Sequence, residues 1–492
     1  RRTPDKIALI HQEKRYTYRE LDCMADSLAM RLVERGIEKG DRIAIFMDNC
    51  IESVIAIFGA LKTGGVFMMI NPTTKSEKLA YLLNNSRAKV IITQGNRAEV
   101  VQSVHCPHLE TIIMTGSYNG GLSCIPFEEA VNAENIERVA VRCIDLDLAS
   151  IIYTSGSTGH PKGVMLSHLN MISAAHSITT YLENNENDII INMLPLSFDY
   201  GLYQILMGFK IGGTVVLEKS FTYPYQVVHT MIQEKVTGLP GVPTIFALFL
   251  GLKDIRGYDF STLRYITNTA AALPVSHIRK LRELFPQAKL YSMYGLTECK
   301  RVSYLPPEEL DTRPTSIGKG MPNEEVYIVS DKGDKAGPGE IGELVVRGSN
   351  IMYGYWEMPE ETAACLKPGK YPGERILYTG DLFKMDEDGY LYFVARKDDI
   401  IKCKGEKVSP KEVENVLYGL EGILEAAVIG VPDEISGQAI KAFVALERGS
   451  QLTEKEILRY CSHHLENLMV PKYVTIRESL PKTATGKISK KM

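Results

Sequence analysis

The sequence predicts an α/β fold. A large N-terminal domain of two doubly wound α/β lobes plus a β-rich subdomain is expected to precede a small C-terminal α+β domain. Three observations carry this. Over the first two thirds of the chain, short apolar runs of strand length alternate with stretches of helical period, the pattern of a parallel sheet covered on both faces. From about Ile317 the texture changes to short β-like runs punctuated by glycines, among them Gly318, Gly320, Gly333, Gly342 and Gly348. After the charged, turn-like stretch Arg396-Lys397-Asp398-Asp399, helices and strands return in a compact unit. The domains are therefore expected at 1–397 and 398–492.

Lys6 to His11 and Lys14 to Thr17 read as a small hairpin. Thr17-Tyr18-Arg19-Glu20 has capping-box form and opens a helix to about Glu34. Strands are expected at Arg42 to Met47, Val66 to Ile70 and Ala88 to Thr93, with helices at Glu52 to Leu61 and Lys75 to Leu83 between them. The alternation resumes with a strand at Leu148 to Tyr153 and a helix at Leu166 to Ile178, which Ser167 is placed to cap. Strands follow at Asp188 to Met193 and Thr214 to Leu217, then a helix at Pro224 to Glu234. Gly238-Leu239-Pro240-Gly241-Val242-Pro243-Thr244 predicts a rigid turn into a helix. Tyr265 to Thr269 and Ala288 to Tyr294 are strands, and the β-rich part carries Glu325 to Val329 and Glu343 to Arg347. In the last unit Ser409-Pro410-Lys411-Glu412 opens a helix, Ile423 to Val431 and Ala439 to Leu446 are strands, and Thr453 to Glu456 caps a helix to about Glu466.

Composition narrows the function classes. The 492 residues are 45% hydrophobic and 24% charged, ordinary for a globular enzyme of two or three domains. A net charge of −4 gives no basic field for nucleic acid. Nine cysteines stand without a Cys-x-x-Cys pair or zinc-like spacing, which favours free thiols and a reducing cytoplasm. No apolar stretch reaches transmembrane length and no signal peptide opens the chain, so no integral membrane segment is expected. The chain starts at Arg1 without a methionine and is expected to be a trimmed piece of a longer one.

The chemistry centres on Tyr153-Thr154-Ser155-Gly156-Ser157-Thr158-Gly159-His160-Pro161-Lys162-Gly163. Between an expected strand and an expected helix stand four small hydroxyls, three glycines and one lysine. Glycines let the backbone approach a large anion, and backbone N–H groups, hydroxyls and an ammonium all donate to phosphate oxygens. The common P-loop needs Gly-Lys followed by Ser or Thr, and here Pro161-Lys162 is followed by Gly163. Further along, Tyr294-Gly295-Leu296-Thr297-Glu298 ends in a hard carboxylate suited to Mg2+. Asp381, in Tyr378-Thr379-Gly380-Asp381-Leu382, offers an acceptor for both hydroxyls of a ribose. Arg396 follows one strand later. Lys487, in Leu480-Pro481-Lys482-Thr483-Ala484-Thr485-Gly486-Lys487-Ile488, is a mobile point charge able to meet a developing negative charge.

Taken in order, these motifs resemble those of the AMP-forming adenylate ligases, the superfamily of acyl-CoA synthetases, peptide-synthetase adenylation domains and luciferases. The resemblance runs from residue 6 to residue 488. It implies that Thr154, Ser155, Gly156, Ser157, Thr158, Gly159 and Lys162 cradle the phosphates of ATP. Ala271, Tyr294, Gly295 and Thr297 then line the nucleotide, and Asp381 and Arg396 hold its ribose. Glu298 with Thr154 binds Mg2+, and Lys487 with Glu298 stabilises charge in catalysis. It further implies a mobile C-terminal domain hinged at Asp398, and a tunnel past Gly405 for the thiol of CoA or of a carrier protein's phosphopantetheine. The acid pocket is expected at Phe198, Asp199, Tyr203, Val242, Thr269 and Ala270.

The reaction implied has two halves. A small carboxylic acid attacks the α-phosphate of ATP, releasing pyrophosphate, and a thiol then takes the acyl group and releases AMP. Three departures from the family pattern bear on this. Ala395 stands where the family usually has Gly. Ala270-Ala271-Ala272 stands where Gly is common. Phe198-Asp199 replaces the His of many acyl-CoA synthetases and looks like amino-acid-activating domains, whose Asp binds the substrate's α-ammonium. Asp199 is alternatively a turn or cap residue. An oxidative, luciferase-like use of the adenylate and a non-catalytic nucleotide-binding homologue are the remaining rivals.

Overall fold

The structure is a computed structural model and describes residues 2–118, 120–132, 138–154, 161–397, 399–403, 406–433, 437–482 and 488–490. Of the expected site residues, Ser155, Gly156, Ser157, Thr158, Gly159, Asp398, Gly405 and Lys487 lie outside the described residues. Among the described residues four sheets form, and no helix is long and apolar enough to cross a membrane.

The first sheet runs Gly354–Tyr355, Lys162–Ser167, Leu148–Thr154, Val66–Met69, Arg42–Phe46, Val90–Gln94, Thr111–Thr115, Ile125–Pro126. Its middle is parallel, with Ile43 opposite both Phe67 and Val90. Ile43, Ala44, Ile45 and Phe46 are all fully buried, the unbroken apolar run that a two-sided parallel strand requires. Helices Tyr18–Glu34 and Ile51–Lys62 meet closely, since a Cβ on Gly59 would lie 2.7 Å from Leu28. Thr17 caps the first of them in a full capping box with Glu20, as its sequence predicts.

The second sheet runs Lys319–Gly320, Ser303–Leu305, Lys289–Tyr294, Tyr265–Asn268, Gly238–Gly241, Ile189–Asn192, Thr214–Leu217, Ile7–His11, Lys14–Thr17. The N-terminal hairpin thus joins the second lobe, with Leu9 beside Val215. The third sheet forms the expected β-rich part, and its strands pair antiparallel. It holds Glu324–Val329, Gly342–Gly348, Arg375–Met385 and Leu366–Pro368, with Leu391–Arg396 along Arg375–Met385. Residues Ile401 to Val474 carry a separate apolar core around a fourth sheet that includes Ile423–Asp433 and Gly437–Leu446.

Two expectations are corrected. Gly238–Gly241 is a strand and not a turn. It pairs along its whole length with Tyr265–Asn268 but meets Ile189–Asn192 only at Gly238 opposite Ile190, so the N–H that Pro240 lacks is little missed. Gly238 is required there, because a Cβ would fall 2.4 Å from the Tyr265 ring. The phosphate-loop segment also does not pass straight into a helix. Lys162–Ser167 first returns as a strand antiparallel to Leu148–Thr154, with Thr154 opposite Lys162. Ser167 does cap the helix that follows, His168–Tyr181, in a reciprocal box with Asn170. The run Gly163-Val164-Met165-Leu166 is apolar enough for either state, and cross-strand pairing decides it.

Candidate active site

The site begins where parallel strands end. Gly241, Asn268 and Ser292 stand in one register row across three neighbouring strands. The chain leaves these strands through Val242, through Thr269 and Ala270, and through Tyr294 and Gly295. Open α/β sheets bind ligands at this edge. Val242 and Thr269 are buried. Ala270 has φ +73°, a left-handed conformation that favours glycine, and Asn268 braces the turn by donating to the Ala271 carbonyl at 3.0 Å. Gly295 gives passage to the next turn, since a Cβ there would lie 2.4 Å from the Lys300 carbonyl oxygen.

Tyr294 and Asp381 come together across two sheets. The Tyr294 hydroxyl donates to Asp381 Oδ2 at 2.5 Å, and Arg396 Nε lies 3.0 Å from Asp381 Oδ1. Asp381 and Arg396 are direct partners on adjacent strands, which fixes their approach. Burial, and then the neighbouring Asp381 carboxylate, push the Tyr294 phenol well above its ordinary pKa, so it stays a donor. The Tyr294 ring meets Phe383 edge-on at 5.0 Å.

Glu298 is held by a residue the sequence reading did not select. The Tyr355 hydroxyl donates to Glu298 Oε1 at 2.7 Å, and the Lys162 ammonium sits 5.0 Å from the centroid of the same ring. Tyr355 reaches this place because Gly354–Tyr355 adds to the edge of Lys162–Ser167, with Tyr355 opposite Val164. Trp356 N–H donates to the Gly163 carbonyl at 2.7 Å and Met352 N–H to the Glu298 carbonyl at 2.8 Å. Lys162, at the foot of the loop, and Glu298, at the far strand end, are thereby joined through one phenol. Burial and the Glu298 charge raise the Tyr355 pKa, so its proton remains on the phenol. Among the described residues no cluster of three or more metal-binding side chains forms. Mg2+ keeps most of its waters and takes one or two carboxylates plus substrate phosphates, so a single carboxylate such as Glu298 fits an ion that arrives with a nucleotide.

Asp199 opens helix Asp199–Ile211 and is buried, with Phe198 at the N-cap. An ammonium does face it, but it belongs to the chain: Lys300 Nζ is 3.4 Å from Asp199 Oδ2. That ammonium also lies 4.5 Å from the Tyr203 ring centroid and 5.6 Å from that of Tyr200. The aromatic neighbours of Asp199 in sequence, Phe198, Tyr200 and Tyr203, are thus joined by Lys300, which folds in from the turn after Glu298. Burial brings the Lys300 pKa down to about 7, against a smaller upward pull from Asp199. The only sequence signal was the pair Lys300-Arg301 between apolar residues, two positions after Glu298. Tyr355 had no signal, since the pairing of a two-residue strand is not written in its residues.

A sequence model described as AMP-binding enzyme matches residues 1–356, and one described as AMP-binding enzyme C-terminal domain matches residues 412–487. The long-chain-fatty-acid–CoA ligase of Bacillus subtilis is 32% identical over 517 residues, covering 99% of this chain and 91% of that protein. Gramicidin S synthase 2 of Brevibacillus brevis is 29% identical over 494 residues, which is all of this chain and 11% of that protein. The solved structure of ATP-bound MatB from Rhodopseudomonas palustris superposes with a TM-score of 0.89 at 27% identity, over 99% of this chain and 94% of that one. That of the o-succinylbenzoate CoA synthetase MenE of Bacillus subtilis, with its acyl-adenylate, gives 0.86 at 27% identity over the same shares.

Proposed function

The chain belongs to the AMP-binding enzyme family, and on that premise we propose that it activates a small carboxylic acid with ATP and passes the acyl group to the thiol of CoA. In the first half-reaction a carboxylate oxygen bonds to the α-phosphorus of ATP and pyrophosphate leaves with its bridging oxygen. In the second, the thiol sulfur bonds to the acyl carbon, AMP leaves, and the thiol proton is released. Holding acid and nucleotide together supplies effective molarity to the first step.

The roles of individual residues follow from their surroundings. Asp381 accepts from the ribose hydroxyls, with Arg396 holding one carboxylate oxygen and Tyr294 the other. The loop from Thr154 to Lys162, including Ser155, Gly156, Ser157, Thr158 and Gly159, receives the triphosphate. Glu298 and Thr154 would hold Mg2+, which would offset phosphate charge. Lys487 is assigned to the charge that builds at the α-phosphate, Asp398 to the pivot between the domains at 1–397 and 398–492, and Gly405 to the thiol path. Thr297, Gly295 and Ala271 line the nucleotide side, while Val242, Thr269, Ala270, Phe198 and Tyr203 line the acid side. The acid is read as lacking an α-ammonium, because Asp199 already faces the side-chain ammonium of Lys300. Nine free cysteines support a reducing compartment, the cytoplasm.

The observation that carries this reading is the convergence of Lys162, Glu298 and Tyr355 near one strand edge, in a chain matched by the family along almost its whole length. Product analysis tests it. Incubation with ATP, Mg2+, CoA and an accepted acid should yield AMP and pyrophosphate in equal amounts with acyl-CoA, and formation of ADP would refute it.

A further inference from the structure

Successive side chains of the strand Ile423–Asp433 face opposite sides of the last sheet. Ala426 and Val428 enter the apolar core shared with Val413, Leu417 and Ile457. Ala427 faces the other way, into a smaller cluster with Phe443, Ala445, Leu480 and Ile488. Leu480 and Ile488 come from the tail of the chain. One precedes the stretch 483–487 and the other directly follows Lys487, so both flanks of that stretch rest on one sheet face. An antiparallel bridge pairs Lys482 with Ile488, and Ser489 N–H donates to the Pro481 carbonyl at 2.7 Å.

A carboxylate grips each flank. Glu425, opposite Ala445 in the sheet, accepts the Leu480 N–H at 2.9 Å through Oε2 and the Lys482 ammonium at 2.6 Å through Oε1. Glu414, on the helix Pro410–Tyr418, accepts the Lys490 ammonium at 2.9 Å and the Val428 N–H at 3.1 Å, both through Oε1. Val428 stands on an outer strand, so Glu414 ties the tail to a sheet edge. Ion pairs in open solvent contribute little. These two differ, because the side chains of Glu425 and Glu414 are only 12% and 9% exposed and each also holds a backbone N–H.

A lysine near the end of a chain samples many positions, and ordering it during the reaction costs conformational entropy. Anchors on both flanks remove much of that cost beforehand. We infer that Glu425 and Glu414 are positioning residues for Lys487, with Glu425 fixing the entry to its segment and Glu414 the exit. This rests on the assignment of Lys487, above, to the charge at the α-phosphate. Adenylation is therefore the half-reaction that depends on them, while transfer to the thiol does not.

The test measures the two half-reactions separately in the full chain. Adenylation is read as acid-dependent ATP–pyrophosphate exchange, with whichever of acetate, hexanoate, palmitate and benzoate the parent uses fastest. Transfer is read as thioester formed from that acid's adenylate and CoA. Glu425→Ala and Lys490→Met should each lower kcat for exchange about fivefold or more, with KM for ATP and the transfer rate within about twofold of the parent. On a Lys487→Ala background the same changes should move exchange less than about twofold, because no ammonium is left to place. Equal loss in both half-reactions, an undiminished loss on the Lys487→Ala background, or the parent's exchange rate in both variants overturns the inference alone. If Glu425→Ala melts far below the parent, Lys490→Met decides, since it leaves Glu414 its Val428 N–H. A parent that exchanges with none of these acids, or that exchanges without any, overturns the adenylation reading and this inference with it.

Discussion

The Tyr355 hydroxyl donates to Glu298 Oε1 at 2.7 Å while the same ring carries the Lys162 ammonium on its face. One side chain thus couples the carboxylate assigned to Mg2+ with the lysine assigned to phosphate. Tyr355→Phe keeps the ring and removes only the donor. A hydrogen bond to a charged group is worth about 1.5–3 kcal/mol, so pyrophosphate exchange should fall roughly ten- to a hundredfold. The Mg2+ concentration for half-maximal exchange should rise as well. A variant with the parent's rate and Mg2+ dependence would make Tyr355 a packing residue only.

Asp381→Asn tests the ribose assignment. The amide keeps the volume but has a single oxygen, so only one of Tyr294 and Arg396 keeps an acceptor and the other meets an NH2 group. Arg396 is largely exposed, so the lost ion pair should cost little stability. KM for ATP should rise about tenfold or more, with KM for the acid nearly unchanged. Equal loss toward both substrates would indicate a general structural role.

Ala270 bears on the strand-end turn. An alanine in the left-handed region costs about 1–2 kcal/mol, and glycine there gives back roughly 0.5–1 kcal/mol through its looser unfolded chain. Ala270→Gly should be neutral or slightly stabilising in thermal unfolding. Ala270→Val, β-branched at φ +73°, should lower the unfolding temperature clearly. A valine variant as stable as the parent would contradict the turn geometry.

Lys300 predicts a pH dependence of stability. Its folded pKa of about 7 lies below its ordinary value of 10.5. Between those values the unfolded chain binds more protons than the folded one, so this group makes stability rise with pH across that window. Denaturant midpoints at pH 7.5 and 9.5 should show a steeper rise in the parent than in K300M/D199N. Parallel pH profiles would mean that Lys300 is not buried as a lysine.

Local rules wrote most of the fold into the sequence. Thr17, Ser167 and Thr453 cap helices where their spacing to Glu20, Asn170 and Glu456 places them. The short apolar run at Ile43 to Phe46 reads as a two-sided strand, and it is one. What stayed hidden is non-local. Leu9 beside Val215, Tyr355 on the edge of Val164, and Gly238–Gly241 as a strand all depend on partners far away in the chain. Asp199 shows the same limit within the site. Its neighbours in sequence are aromatic, and the lysine that meets it arrives from 101 positions away.

The central claim is acid-dependent formation of an acyl-adenylate. The most direct measurement is incorporation of labelled pyrophosphate into ATP, with the parent and with Lys487→Ala, in the absence of CoA. The account predicts exchange only when an accepted acid and Mg2+ are both present, and a drop of at least a hundredfold in Lys487→Ala at unchanged unfolding temperature. Exchange without any acid, or a Lys487→Ala variant that exchanges at the parent's rate, would contradict it.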